Sequence, residues 1–278
     1  MAWAVGKTRR AVTSSRSDWL VAEWPAPRAV RSLLTTRSGG VSRPPFASLN
    51  LGDHVGDDAL AVSINRQRLA AHLPAAPRWL QQVHGTSVVE VHGGEEESAT
   101  PRADAALTRV PGVVCGVLTA DCLPLLLCDR PGSVVAAVHA GWRGLLAGVV
   151  QTTVRAMAVD GRDLLAYLGP AIGPQAFVVG DEVRSAFVDS AGRSAAAFRP
   201  LAADCRTAAS AGEASGRTES QFWLADLYLL ARQALAEVGV ETSFGGEHCT
   251  VSDARRFFSY RRDGATGRMA SLIWLATD

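Results

Sequence analysis

The sequence predicts an α/β fold, a single domain in which a mixed β-sheet is covered by helices. Three observations lead there. Between Gly112 and Gly144 lie three short, continuously apolar runs, Val113–Leu118, Leu123–Cys128 and Val134–Val138, each closed by a polar or turn cluster. Runs that short and uniform suit strands buried on both faces. Beyond them, Leu145, Leu146, Val149, Val150, Val154 and Met157 recur at helical spacing, which predicts a helix over 144–158. Finally, strand-like and helical segments alternate irregularly and without an internal repeat, which favours a mixed sheet over a regular βαβ series.

In chain order, residues 1–16 read as a mobile tail and 17–278 as the domain. Val30–Thr36 is a predicted strand, and the glycines, prolines and hydroxyls of 37–52 make an ordered loop. Asp57 and Asp58 precede Leu60, Ile64, Leu69 and Leu73, so a helix is expected over 58–73. Trp79–Val83 and Ser87–Val91 read as strands around a turn at His84, residues 93–98 as a solvated turn, and Ala103–Leu107 as a short strand. After the central stretch come a buried strand at Leu164–Leu168 and a helix at Asp181–Ser190. Residues 201–220, poor in apolar side chains, read as an exposed loop. A helix follows over Ala225–Val238 with Leu227, Leu230, Ala234 and Leu235 on one face, and Phe257–Tyr260 and Ala270–Trp274 close the chain as strands.

Composition excludes several function classes. A net charge of +1 gives no electrostatic case for nucleic acid or an anionic membrane. No apolar run reaches the roughly 18 residues of a membrane helix, and the N-terminal residues lack the apolar core of a secretory signal. The five cysteines form no CxxC pair, which argues against a disulfide scaffold or a four-cysteine zinc site. A reducing cytoplasm is therefore expected. A four-copper oxidase needs around ten histidines, largely in His-X-His pairs; this chain has six and no such pair. The H-x-E and P-C-x-x-C motifs of nucleobase zinc deaminases are absent as well.

Three soft or borderline ligands stand at strand ends beside turns: His84, Cys122 and His139. Three protein ligands with an open fourth position make a catalytic zinc site. The same residues support a metal-free reading, with Cys122 as nucleophile, His139 as its base and Asp121 or Asn50 orienting the imidazole. Both need a thiolate beside an imidazole, so the residues leave both open. Arg37, Arg143 and the 261–268 cluster, Arg261 included, lie beside glycine turns, where guanidinium and backbone N–H can together capture an anion. Cys115 and Cys128 read as core thiols, while His54, His72 and His92 read as exposed.

In order along the chain stand TRSGGVSRPPFASLNLGDHVGDD, QQVHG, TADCLPLLL, AVHAGWRGL, LGPAIGP, DLYLLARQAL, CT and FFSYRRDGATGR. Over about residues 30–275 this resembles the YfiH-like laccase-domain family, also called polyphenol oxidase or peptidoglycan editing factor. The resemblance implies a single α/β domain related to the cytotoxic necrotising factor fold. It implies a metal, usually zinc and sometimes reported as copper, held by His84, Cys122 and His139. It implies phosphorolysis of adenosine, inosine and methylthioadenosine together with adenosine deamination; the copper polyphenol oxidase label is the older attribution, and bacterial members are also linked to editing of cell-wall precursors.

On that basis Arg37 is the expected phosphate ligand, with Ser48 and Asn50 on the same loop for sugar or base. Asp121 is the expected proton carrier or ligand orienter, and Arg143 and Arg261 are expected to contact substrate. Partners are then a purine nucleoside and phosphate. Three positions depart from the family pattern: Val178 where an acid is usual, Ala231 where Asn is common, and Ser252 near the place of a second cysteine.

Overall fold

A computed structural model describes residues 18–94, 100–190, 192–201 and 221–277. The expected tail at 1–16, most of the turn at 93–98 and nearly all of the loop at 201–220 lie outside the described residues. The strands are β1 (Val30–Leu34), β2 (Val88–Glu90), β3 (Ala105–Thr108), β4 (Val114–Thr119), β5 (Leu123–Asp129), β6 (Val135–Ala140), β7 (Leu164–Leu168), β8 (Val178–Gly180), β9 (Phe198–Pro200), β10 (Phe222–Ala225), β11 (Ser243–Gly245) and β12 (Met269–Leu275). The helices are α1 (Ala59–Ala70), α2 (Trp142–Ala147), α3 (Val149–Met157), α4 (Asp181–Ser190), α5 (Leu227–Glu237) and α6 (Tyr260–Asp263).

The fold class is as expected, and the strands divide over three sheets. A six-stranded sheet runs β11-β7-β5-β6-β3-β2, a three-stranded sheet runs β1-β12-β4, and a small one runs β8-β10-β9. The large sheet is mixed: β2–β3 and β11–β7 are parallel, the other pairs antiparallel.

Alternation along the strands explains the layering. Leu123, Leu125, Leu127, Ala136 and Val138 face the helices α2, α3 and α5. Leu126, Cys128, Val135 and Ala137 face the opposite way, against Cys115, Val117 and Ile273 of the three-stranded sheet. The far face of that sheet, with Leu33, Val114, Leu118 and Leu272, packs on Leu49, Leu51 and Leu69. The order of layers is thus helix, large sheet, β1-β12-β4 sheet, helix. The central strands are continuously apolar because each has a packed layer on either side.

Four local expectations are corrected. The helix expected over 144–158 is two helices, broken at Gly148, whose φ of 94° is left-handed and suits glycine. Residues 79–83 form only an isolated bridge at Gln81, with another at Arg78 just before them. There the Gln82 side chain takes a strand's place, donating Nε2–H to Leu118 O and accepting Leu118 N–H at Oε1. Residues 257–260 are no strand either: Phe257 and Phe258 are fully buried with Met269, and Ser259 caps α6 by accepting Arg262 N–H. On α1, Leu60 is 67% exposed, and the buried side carries Ala61, Val62, Asn65 and Leu69 instead.

Asn65 explains that rotation. Its Oδ1 accepts Val41 N–H, and its Nδ2 donates toward Ser42 Oγ, Ser48 O and Asn50 O. One buried amide thus satisfies the polar backbone of the 37–52 loop. Asn65→Ala would orphan those groups and should lower the unfolding free energy by about 2–4 kcal/mol. Urea denaturation at unchanged m-value measures this, and a loss below about 0.5 kcal/mol would show that the loop does not depend on Asn65.

Candidate metal centre and cleft

His84 and Cys122, each from a bend, and His139, from a strand, converge at the seam between the sheets. His139 lies within β6 beside Pro124 of β5, Cys122 immediately precedes β5, and His84 follows the Gln82 staple. One ligand atom from each lies within 4.8 Å of the others, the one such group of His, Cys, Asp or Glu among the described residues. His84 Nε2 and Cys122 Sγ are 3.7 Å apart. Tetrahedral zinc with ordinary Zn–S and Zn–N bonds would hold sulfur and nitrogen about 3.5 Å apart. The donor set and its spacing therefore fit a metal of the zinc class. His139 is buried, Cys122 half-buried and His84 exposed, so the group is walled on one side and open on the other.

A buried carboxylate that the sequence reading passed over organises the group. Asp104, at 0% exposure, holds His139 Nδ1 at 2.8 Å through Oδ1. Its oxygens also accept the backbone N–H groups of Val83, His84 and Gly85. The imidazole is thereby oriented with Nε2 turned toward the other ligands, the usual outer-shell arrangement of a metal histidine. The orienting role expected of Asp121 or Asn50 thus falls to Asp104. Its signal in the sequence is an acid inside the apolar stretch Ala103–Leu107.

Charge follows from these contacts. Burial opposes ionisation of Cys122, but His139 and His84 outweigh it and bring the thiol down to about 6. Burial likewise disfavours the His139 imidazolium, but Cys122 and Asp104 outweigh it and lift that group to about 9. Asp104 is held below the ordinary carboxylate value, as its hydrogen bonds from His139, Gly85 and His84 overcome burial. Cys115 and Cys128, fully buried without such partners, are pushed up as core thiols should be.

Two non-glycine residues here have left-handed backbones, His84 at φ 58° and Asp121 at φ 96°. Asp104 pins the first. The second is pinned through its own carboxylate, which accepts Thr250 Oγ1–H and Arg261 N–H, both at 2.6 Å. Gly141 supplies room: a Cβ there would lie 2.9 Å from Cys122 Sγ and 3.1 Å from His84 Cδ2.

The ligands open into a cleft of about 460 Å³. Leu118, Trp142, Ile172, Phe177 and Leu227 give it an apolar wall. Arg143, Arg261 and Arg268 bring positive charge, and His54, exposed as expected, also stands at its lining. Arg37, Ser48 and Asn50 are not among its lining residues. Arg37 donates to Ala47 O and Ala254 O and stacks over Phe258. Asn50, fully buried, accepts Gly52 N–H and Arg268 N–H. Arg143 lies over the Trp142 ring at 4.3 Å, and Arg261 donates to Val178 O. Among the departures, Val178 thus carries Arg261 by its backbone, Ala231 is buried in α5, and Ser252 contacts Cys249 O.

Fold and site together define a single-domain α/β protein with a His–Cys–His centre at the floor of an arginine-bearing cleft. The family model described as multi-copper polyphenol oxidoreductase laccase matches residues 31–276. The chain belongs to this YfiH-like laccase-domain family. Purine nucleoside phosphorylase PA4543 of Pseudomonas aeruginosa is 52% identical over 257 residues, 92% of this chain and 98% of its own. Purine nucleoside phosphorylase YfiH of Escherichia coli is 51% identical over 261 residues, 93% and 99% of the two chains. The crystal structure of Neisseria meningitidis protein NMB0706 superposes with a TM-score of 0.83 at 48% identity, over 94% of this chain and 100% of that one. YlmD from Geobacillus stearothermophilus gives 0.78 at 32%, over 94% and 97%.

Two substitutions test the centre with zinc as the probe. Asp104→Asn should weaken zinc binding on the order of 10–100-fold, because the His139 tautomer is no longer set. Gly141→Ala should weaken zinc binding while leaving the folded structure, because the added methyl crowds two ligands. Competition with a chromogenic chelator reads both, and wild-type affinity in either variant would refute the geometry described.

Proposed function

We propose that this protein is a zinc-dependent purine nucleoside phosphorylase acting on adenosine, inosine and methylthioadenosine, with adenosine deaminase activity. The observation that carries the reading is the convergence of His84, Cys122 and His139 on an open cleft. The names of relatives matched over nearly their full length support the phosphorylase class. The cytoplasm is the proposed location; Cys115, Cys122, Cys128 and Cys249 are all free thiols, and no helix among the described residues is long and apolar enough to cross a membrane.

In this reading His84, Cys122 and His139 hold the metal. When bound it supplies a Lewis acid, able to polarise a substrate group or to activate water for deamination. The rest falls to the chain. The apolar wall of Leu118, Ile172, Phe177 and Trp142 takes the flat purine and excludes water from one side of the ribose. Asp104 keeps His139 in one tautomer. Asp121 has both carboxylate oxygens engaged by Thr250 and Arg261, so it ties the segment at Thr250 and the start of α6 to the cleft floor. In phosphorolysis a phosphate oxygen bonds to ribose C1 as the C1–N9 bond breaks. The bonding pair leaves with the purine, and the proton given up by hydrogen phosphate is the one the base gains. Arginines at the cleft oppose the charge on the incoming anion.

Copper polyphenol oxidation receives less support, because one ligand cluster converges among the described residues where a four-copper enzyme needs several. The metal-free cysteine hydrolase, including an enzyme that edits a cell-wall precursor, has one observation in its favour. Cys122, His139 and Asp104 form a thiolate, imidazole and carboxylate series. In that series His84 serves only to stabilise the Cys122 thiolate, whereas a metal uses all three side chains as ligands.

Alkylation separates the two. Zinc-loaded protein should turn over inosine with phosphate and should resist iodoacetamide at Cys122 until a chelator is added. His84→Ala should lose both zinc and turnover. Rapid alkylation of Cys122 in zinc-loaded protein, with turnover surviving the chelator, would make the hydrolase the correct reading.

A further inference from the structure

Arg268 is set into the cleft differently from the other arginines. It directly precedes β12, where Met269 pairs with Thr119 of β4, and its backbone N–H donates to buried Asn50 Oδ1 at 2.9 Å. Its aliphatic stem passes over Gly52, where a Cβ would come within 2.8 Å of Arg268 Cγ. The guanidinium is held from one side, Nη1 donating to Thr266 O at 2.9 Å and Gly267 O at 3.1 Å. Among the described residues Nε and Nη2 have no hydrogen-bond partner, and no carboxylate lies within ion-pair distance of the group. Neither nitrogen is sealed from solvent, and the residue lines the cleft. Burial lowers its pKa, opposed by the negative charges of Cys122 and Asp121, which places the guanidinium within electrostatic reach of the cleft floor.

The other cleft arginines are committed elsewhere or exposed. Arg261 spends Nη1 on Val178 O, and Arg143 lies on the Trp142 ring at the solvent-exposed rim. A partly desolvated cation with a fixed stem and two adjacent donors left over matches a tetrahedral oxyanion, which accepts two parallel N–H bonds from one guanidinium edge. We infer that Arg268 forms the oxyanion subsite of the cleft and binds inorganic phosphate through Nε and Nη2. The inference rests on the phosphorolysis reading above, and it moves the phosphate role expected of Arg37 to a residue that lines the cleft with Nε and Nη2 left over.

The test uses full-length zinc-loaded protein, wild type beside Arg268→Gln and Arg268→Lys. Calorimetric titration with inorganic phosphate and steady-state phosphorolysis of inosine are both measured, with zinc content and melting temperature as controls. Arg268→Gln should weaken phosphate binding and raise the phosphate KM on the order of tenfold or more, with a much smaller change in the inosine KM. Arg268→Lys, which keeps the charge and loses the fork, should fall between. Unaltered phosphate binding and KM in Arg268→Gln would overturn the assignment. So would loss of zinc and a collapsed melting temperature in both variants, which would make Arg268 structural. Phosphate binding that depends on Arg268 in a protein without phosphorolysis would keep the subsite and remove the phosphorylase reading. Phosphorolysis with a phosphate KM independent of Arg268 would do the reverse.

Discussion

The carboxylate of Asp104 is the constraint on which the rest of the site depends. It is fully buried, and its two oxygens meet one imidazole nitrogen and three backbone N–H groups. A buried charge with that many donors is stable where a bare one would cost several kcal/mol. The same bonds reach both histidines of the cluster, His139 through its ring and His84 through its backbone. One residue therefore sets the rotation of one ligand and the turn that presents the other. The left-handed backbone at His84 persists because these bonds over-determine it; strain of this kind costs on the order of 1–3 kcal/mol and survives only with such support.

The layered fold explains why the ligands meet where they do. β3 and β6 are neighbours, so Asp104, just before β3, comes beside His139 near the end of β6. β5 pairs with β6 on its other side, which brings Cys122, at the start of β5, to the same end of the sheet. Gln82, bonded to Leu118 of β4, then delivers His84 from the adjoining sheet. The site thus needs antiparallel register in the large sheet and a single side-chain bridge to the β1-β12-β4 sheet. Gly141 completes it by leaving a void where any other residue would place a carbon against the sulfur.

Much of this was legible in the sequence. The three central strands, the buried strand at Leu164–Leu168 and the α5 face of Leu227, Leu230, Ala234 and Leu235 follow from apolar periodicity, because sheet and helix layers enforce it. The triad could be singled out because soft ligands at strand ends are costly without work. What escaped depends on long-range polar contacts. Asp104 looked like part of a short strand, since nothing local marks its partner 35 residues away. The buried face of α1 was misread because Asn65, a polar residue, occupies it to serve a loop. β8, β9, β10 and β11 have three or four residues each and no periodicity to read. Residues 257–260 carry strand-like aromatics, yet Ser259 offers a cap, and the cap decides.

The arginines show where reading by residue type reaches its limit. All but one of the basic residues are arginine, and many stand beside glycine turns, where a site and a staple look alike in sequence. A guanidinium has five N–H donors in one plane, so it can satisfy loop carbonyls that no strand pairs. Arg262 does this for Thr250, Val251 and Phe257, Arg232 for Gly245, and Arg37 for Ala47 and Ala254. Each such bond removes a donor from any ligand. The turn motif therefore says that a guanidinium is needed, while the nitrogens that the carbonyls take, and the side of the fold they face, say what is left over. Arg268 and Arg37 stand in similar sequence surroundings and each bonds two carbonyls, but Arg37 spends Nε and Nη1 away from the cleft, while Arg268 spends Nη1 alone and lines it.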